Sequence, residues 1–240
     1  MGPERNIKVY EPRQHEGEPR PGPQEQTARD PLGRLMTISD PTSATAEAFH
    51  TLGANLQYAL MDAPSRVIAL TSPGPGEGKT TVCANLGVAL AQTGESVLLV
   101  DCDLHRPAVH AVFGLRNLQG LENVLSGERR PPEIQQEPMP GLRIVTTGPL
   151  PPYPAQLLGS VRFKEFLRQA GSEFDYVLLD CPPVSMVPDS LVLAAQADGV
   201  LVVLDAQSTR KVAFRRTIHG LESVRSNILG TVMGNVGVGK

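Results

Sequence analysis

Six short, mainly apolar runs punctuate the chain: Arg66–Leu70, Val97–Val100, Leu142–Val145, Phe174–Leu179, Gly199–Leu204 and Ile228–Val236. Runs of this length, rich in Val, Ile and Leu, read as strands buried on both faces. The segments between them carry apolar residues at helical spacing: Val82–Gln92, Leu118–Leu125, Ala155–Ala170, Ser190–Ala195 and Thr209–Ser226. A further helix is expected over Ala46–Leu60, with Ser43 or Thr45 as its cap and Phe49, Leu52, Leu56 and Leu60 along one face. Gly53 within it costs about 1 kcal/mol relative to alanine. Strands alternating with helices predict an α/β domain, doubly wound, with a mostly parallel sheet flanked by helices. Each strand–helix–strand unit should be a right-handed crossover.

Two segments fall outside this alternation. Residues 127–141 are rich in proline and charge and read as a surface loop. Residues 1–35 are rich in Pro, Glu, Gln, Arg and Gly, with too little apolar surface to offset the entropy of ordering them. The expected organisation is therefore a disordered tail over 1–35 and one domain over 36–240. The helix from Thr209 turns Phe214, Ile218, Leu221 and Val224 inward and leaves Arg210, Lys211, Arg215 and Arg216 to solvent.

Composition narrows the function classes. At 240 residues one sizeable core is affordable, and a net charge of −3 argues neither for nor against a polyanionic partner. Four tyrosines, six phenylalanines and no tryptophan make a base-stacking platform a poor fit, so no nucleic acid partner is expected. No apolar run approaches the roughly 18 residues of a membrane span, and the N-terminus shows no secretory signal, so a cytoplasmic protein is expected. Cys83, Cys102 and Cys181 have no metal-ligand spacing and read as small buried thiols.

The chemistry concentrates in Ser72-Pro73-Gly74-Pro75-Gly76-Glu77-Gly78-Lys79-Thr80-Thr81, between the first apolar run and its helix. A glycine-rich turn there leaves backbone N–H groups bare at a helix N-terminus, a natural phosphate seat. Candidate binding residues are Gly74, Pro75, Gly76, Glu77, Gly78, Lys79, Thr80 and Thr81, with Lys79 reaching the outer phosphates and Thr80 a magnesium ion. Pro73 stands where the usual Gly-x-x-x-x-Gly-Lys-[Ser/Thr] spacing begins with glycine. The next apolar run ends in Asp101-Cys102-Asp103, and a later one in Asp180-Cys181-Pro182-Pro183. Ligands of open parallel sheets bind beyond the carboxyl ends of the strands, so these aspartates should converge on the phosphate turn. Three carboxylates beside a polyphosphate require a cation, with Thr80, Asp103 and Asp180 as candidate magnesium ligands.

These stretches resemble the bacterial tyrosine kinases of capsule and exopolysaccharide synthesis, a branch of the P-loop ATPases related to the partition ATPases. Gly74–Thr80, Asp101–Pro107 and Asp180–Val184 look like that family's Walker A, A′ and B motifs. The resemblance covers about residues 36–235. It implies ATP and Mg2+ as cofactors, transfer of the γ-phosphate to protein tyrosines, and recruitment by a separate membrane-anchored activator of polysaccharide export. It also implies catalytic roles for Lys79, Asp101 and Asp103. Asp101 is the expected base for the attacking hydroxyl, although the motif does not separate it from Asp103.

A partition-type ATPase switch and an ATP-binding pseudo-kinase remain as alternatives. Partition ATPases carry a second lysine where this chain has Gly74, which favours the kinase branch. Three departures from the family pattern stand out. His105 replaces an arginine. The family's adenine-contacting asparagine falls at Gly234, one place from Asn235. The ring-forming Glu-x-x-Arg-x-x-Arg reads Glu47, His50 and Gly53, so a stable self-assembled ring is not expected.

Overall fold

All six expected strands form, and they lie in one sheet. The computed structural model describes residues 6–8, 35–61, 66–131 and 135–236. In chain order the first elements are β1 (Asn6–Lys8), α1 (Met36–Ser39), α2 (Ala44–Ala59), β2 (Val67–Thr71), α3 (Lys79–Gln92) and β3 (Val97–Asp101). Next come α4 (Val109–Phe113), α5 (Leu121–Ser126), β4 (Gln136–Met139), β5 (Leu142–Val145), α6 (Pro154–Leu158) and α7 (Val161–Glu173). The chain continues through β6 (Tyr176–Asp180), α8 (Asp189–Ala194), β7 (Gly199–Asp205), α9 (Lys211–Ser223) and β8 (Ile228–Gly234). The strand order is β1-β8-β7-β2-β6-β3-β5-β4, and every pairing is parallel except β4 with β5.

The continuous apolar strands follow from burial on both sides. In β2, Ile68 and Leu70 join the core beneath α2, α3 and α4, while Val67 and Ala69 join the core beneath α5 to α9. Side chains alternate across a strand, so a strand covered by helices on both faces must be apolar at every position. β2 sits between β6 and β7, with β3 beyond β6. The segment leaving β2 therefore emerges at the centre of the carboxyl edge, flanked by the ends of β6 and β7.

Several boundaries depart from the sequence pattern. The expected helix over Ala155–Ala170 is two helices, because Gly159 ends α6 and the Ser160 hydroxyl accepts a hydrogen bond from the Phe163 N–H to start α7. The expected loop 127–141 contains β4, an antiparallel edge strand. α1 and α4 are too short to show a helical period. α2 is capped by Ser43, whose hydroxyl accepts from the Ala46 N–H. Within the N-terminal segment expected to be disordered, Asn6–Lys8 pair in parallel with Thr231–Met233 of β8; residues 1–5 and 9–34 lie outside the described residues. Gly53 faces α3, where an added Cβ would lie 3.2 Å from Leu90 Cδ2, so its helix-propensity cost accompanies close packing of α2 on α3. No helix among the described residues is long and apolar enough to cross a membrane.

The loop after β5 is pressed against the start of α5. The Leu121 and Glu122 N–H groups donate to the Thr146 and Thr147 carbonyls at 2.8 and 2.9 Å. The Gly120 N–H donates to Asn123 Oδ1 at 3.0 Å. A Cβ at Gly120 would overlap backbone atoms of Thr146 and Gly148, which cannot swing aside as a flexible side chain would. Gly120→Ala is expected to lower unfolding stability by about 1–3 kcal/mol. Urea denaturation checks this: an unchanged midpoint at unchanged slope would show that the two segments are not in close contact.

Candidate nucleotide-binding site

The turn after β2 takes a form open to few sequences. Gly76 and Gly78 have φ of +80° and +86°, the left-handed region that glycine enters without steric cost. Gly78 is the N-cap of α3 and supplies no side chain to the first N–H groups of the helix. Those groups remain available as anion donors. The turn is anchored at its base, where Thr71 Oγ1 donates to the Pro182 carbonyl at 2.8 Å and Ser72 Oγ to the Gly74 carbonyl at 2.7 Å. Lys79 begins α3 and is 8% exposed, and Thr80 and Thr81 follow in its first turn.

The expected aspartates converge on this turn. Asp101 and Asp180 are register partners on the adjacent parallel strands β3 and β6, so their side chains leave the sheet side by side. Thr80 Oγ1 donates to Asp180 Oδ2 at 2.7 Å. Asp180 Oδ1 is buried and accepts no hydrogen bond. Burial pushes the Asp180 carboxyl up to about 6, against the pull of Lys79 and the Thr80 hydroxyl, and the Asp103 charge adds to the rise.

Asp101 and Asp103 differ in what they are free to do. Asp101 is wholly buried, and its oxygens accept from the Asp103 N–H at 3.2 Å and from the Ala108 and Val109 N–H groups at 3.1 Å. Burial and the neighbouring Asp180 charge push its carboxyl well up, while the Val109 and Asp103 N–H groups pull it back. Asp103 is 7% exposed, and both of its bonds, from the His105 and Arg106 N–H groups at 3.3 and 2.9 Å, fall on Oδ1. Asp101 thus holds the start of α4 and the Asp103 turn, whereas both bonds to Asp103 leave its second oxygen without a donor.

Residues that the motifs did not assign complete the walls. His105 Nε2 lies 2.9 Å from Oδ2 of Asp189, a buried residue in the first turn of α8. This contact ties the loop after β3 to the helix that follows β6. On the other side, Thr209 Oγ1 donates to Glu77 Oε1 at 2.9 Å and accepts from the Asp205 N–H at 2.9 Å. Burial raises the Glu77 carboxyl, offset by the Thr209 hydroxyl and the Gly74 N–H. Asn235 Nδ2 donates to Asp205 Oδ2 at 3.0 Å. β8 ends at Gly234 and Asn235 has φ of +53°, so the side-chain alternation of a strand does not govern it. Asn235 is held at the carboxyl edge beside Asp205, not turned to the opposite face as its offset by one residue suggests.

The donor set suits a hard cation bound together with a polyphosphate. Oxygens of Thr80 and Asp180, with an orphaned carboxylate oxygen beside them, match the preference of magnesium. Cys83, Cys102 and Cys181 are buried free thiols whose ionisation burial pushes well up, the inert character expected of them.

A family model described as an AAA domain matches residues 65–229, from β2 into β8. The tyrosine-protein kinase YwqD of Bacillus subtilis is 36% identical over 200 residues, 83% of this chain and 84% of that one. The chain belongs to the bacterial tyrosine-kinase family. Its fold is similar to that of the chimerical protein CapA2B2, with a TM-score of 0.81, 29% identity and coverage of 85% of this chain and 90% of the other. Cobyrinic acid a,c-diamide synthase from Mycobacterium smegmatis, solved with an ATP analog and magnesium, is similar at a TM-score of 0.57 and 27% identity over 70% of this chain and 72% of that one. Some curated tyrosine-kinase relatives are much longer, and the chain spans 24% to 29% of three of them, whereas it spans 92% of the putative tyrosine-protein kinase CapB of Staphylococcus aureus. The β2–α3 turn, the Asp101–Asp103 turn and Asp180 share one edge of the sheet.

The raised Asp180 carboxyl has a consequence for stability. Its folded value of about 6 lies above the usual 3.8, so between these values the folded chain keeps a proton that the unfolded chain releases. The associated stability is present below about pH 4 and is lost as pH rises through about 6. In protein free of nucleotide and magnesium, Asp180→Asn is therefore expected to reduce the fall in melting temperature between pH 4.5 and 7. Calorimetry across that range tests it; the same slope in variant and wild type would place the titration elsewhere.

Proposed function

We propose that this protein binds Mg-ATP at the β2–α3 turn and transfers the γ-phosphate to tyrosine hydroxyls of other proteins. In this reading it serves exopolysaccharide or capsule synthesis in the cytoplasm, under a separate membrane-anchored activator. The observation that carries it is the Thr80–Asp180 hydrogen bond at 2.7 Å, beside an orphaned Asp180 oxygen and at the bare N-terminus of α3. Phosphoryl transfer asks the protein for positioning and charge balance more than for covalent help. The N–H groups of Gly76–Thr80 would seat the phosphates, and Lys79 would offset their outer charge. Thr80 and Asp180 would hold magnesium, which supplies neutralisation of the phosphate oxygens.

The proton of the attacking tyrosine needs an acceptor. Asp101, the base implied by the family resemblance, has no exposure and carries three backbone N–H groups. We therefore assign proton acceptance to the free oxygen of Asp103 and a positioning role to Asp101. The tyrosine oxygen bonds to the γ-phosphorus, the bond to the β–γ bridging oxygen breaks, ADP leaves, and the proton rests on Asp103. One observation favours the pseudo-kinase or ATPase alternative: His105, in the place of an arginine, is committed to Asp189.

Transfer of labelled γ-phosphate to a tyrosine peptide, with and without the cytosolic tail of a candidate activator, tests the function. Phosphotyrosine is expected; release of free phosphate alone would indicate an ATPase. Lys79→Ala should abolish or strongly weaken binding of an ATP analogue while the fold persists. Asp103→Asn should lower turnover by about 10²–10⁴-fold with little loss of ATP affinity. Near-normal turnover in Asp103→Asn would return the role to Asp101.

We also propose that the protein forms no stable ring by itself. α2 contains no arginine; Glu47 is exposed, His50 half-buried, and Gly53 faces α3 and not a neighbour. Loss of a close interfacial charge pair typically costs about 2–5 kcal/mol at each contact. Light scattering at tens of micromolar protein with Mg-ATP should show mainly monomer or dimer, and a ring-sized particle would refute this.

A further inference from the structure

α9 carries the most uneven charge distribution among the helices. From Arg210 to Ser223 there are four Lys or Arg residues and one carboxylate, the exposed Glu222 in the last turn. Subtracting that net +3 from the net charge of −3 leaves −6 on the rest of the chain. At about 100° per residue, Lys211, Arg215, His219, Val212 and Arg216 fall within one arc of about 140°, which also takes in Glu222 at the far end of the helix. All five are exposed, and Val212, near the middle of the arc, is 61% exposed. The opposite side is fixed to the core by Phe214, Thr217, Ile218 and Leu221. Arg210 extends the basic face just before the helix. Among the described residues, none of these cations has a carboxylate within ion-pair distance, in contrast with Arg168 on α7, which pairs with Glu165.

We propose that this face of α9 docks on an anionic lipid surface. The helix is held by its inward side, so its outward side is a fixed, convex strip of cations with one apolar side chain among them. A flat, negatively charged bilayer surface complements such a strip without needing a groove, and each Lys or Arg brought to an anionic membrane contributes attraction that fades over a Debye length. The −6 carried by the rest of the chain repels the same surface, which turns α9 towards it. Because α9 runs along the flank of the sheet, docking leaves the carboxyl edge, with the β2–α3 turn, open to nucleotide and partners. The proposal rests on α9 alone and stands whether or not the protein transfers phosphate to tyrosine.

Co-sedimentation of the full chain with vesicles tests it, using phosphatidylcholine alone and phosphatidylcholine with one part in three of phosphatidylglycerol. Binding is expected only to the anionic vesicles and should disappear towards 1 M salt, where the Debye length shrinks to about 3 Å. Lys211→Glu with Arg215→Glu should weaken it by about tenfold or more. Lys164→Glu with Arg168→Glu on α7, an equal change in net charge, should leave it nearly unchanged. Unaltered circular dichroism and ATP-analogue binding would confirm that both variants fold. The proposal is overturned if anionic vesicles are not bound, if the α7 variant loses as much as the α9 variant, or if the face captures a polyglutamate peptide and not the vesicles.

Discussion

The arrangement of the site depends on one electrostatic constraint: two carboxylates, Asp101 and Asp180, lie side by side on neighbouring strands, shut away from water. Burying one ionised carboxylate is costly, and a second beside it raises the cost unless protons, donors or cations intervene. The chain answers differently at each. Asp101 is surrounded by backbone N–H groups and becomes part of the scaffold, tying the end of β3 to the start of α4. Asp180 keeps one oxygen on the Thr80 hydroxyl and leaves the other unserved, with Lys79 contributing opposite charge. The unserved oxygen marks where ligand charge is needed.

The sheet makes that constraint possible. Strands buried on both faces can be apolar throughout, so polar groups are pushed to the strand ends, and parallel alignment gathers the carboxyl ends on one edge. β2 occupies the centre of that edge. Two hydrogen-bonded walls rise from it: Glu77–Thr209–Asp205–Asn235 towards β7 and β8, and Asp103–His105–Asp189 towards β3 and α8. The first wall links the phosphate turn directly to the segment that begins α9. The nucleotide turn and the basic outer face of α9 are therefore joined through Thr209, only two residues before the helix.

Long-range register and local pattern contribute unequally to what a sequence reveals. The strands, α2, α3 and the phosphate turn were legible because each is fixed by neighbours in the chain: an apolar run, a helical period, or glycines ahead of Gly78-Lys79-Thr80. α1 and α4 were not, because four or five residues cannot show a period. β4 and the Asn6–Lys8 strand were hidden because an edge strand is defined by its partner and need not be apolar. The break between α6 and α7 was written locally, as Gly159-Ser160, but an apolar spacing continuous across it masked the cap.

The sequence by itself determined the α/β class, the place of the phosphate turn and which aspartates could meet there, since these depend on spacing and strand ends. Tertiary structure decided which donors each aspartate meets. Asp101 and Asp103 are alike in sequence, and only the approach of α4 satisfies one and leaves the other an open oxygen. Likewise, the contact of His105 with Asp189 and that of Glu77 with Thr209 join residues 84 and 132 positions apart. No local rule relates residues so distant in sequence; their meeting is set by the packing of helices against a common sheet.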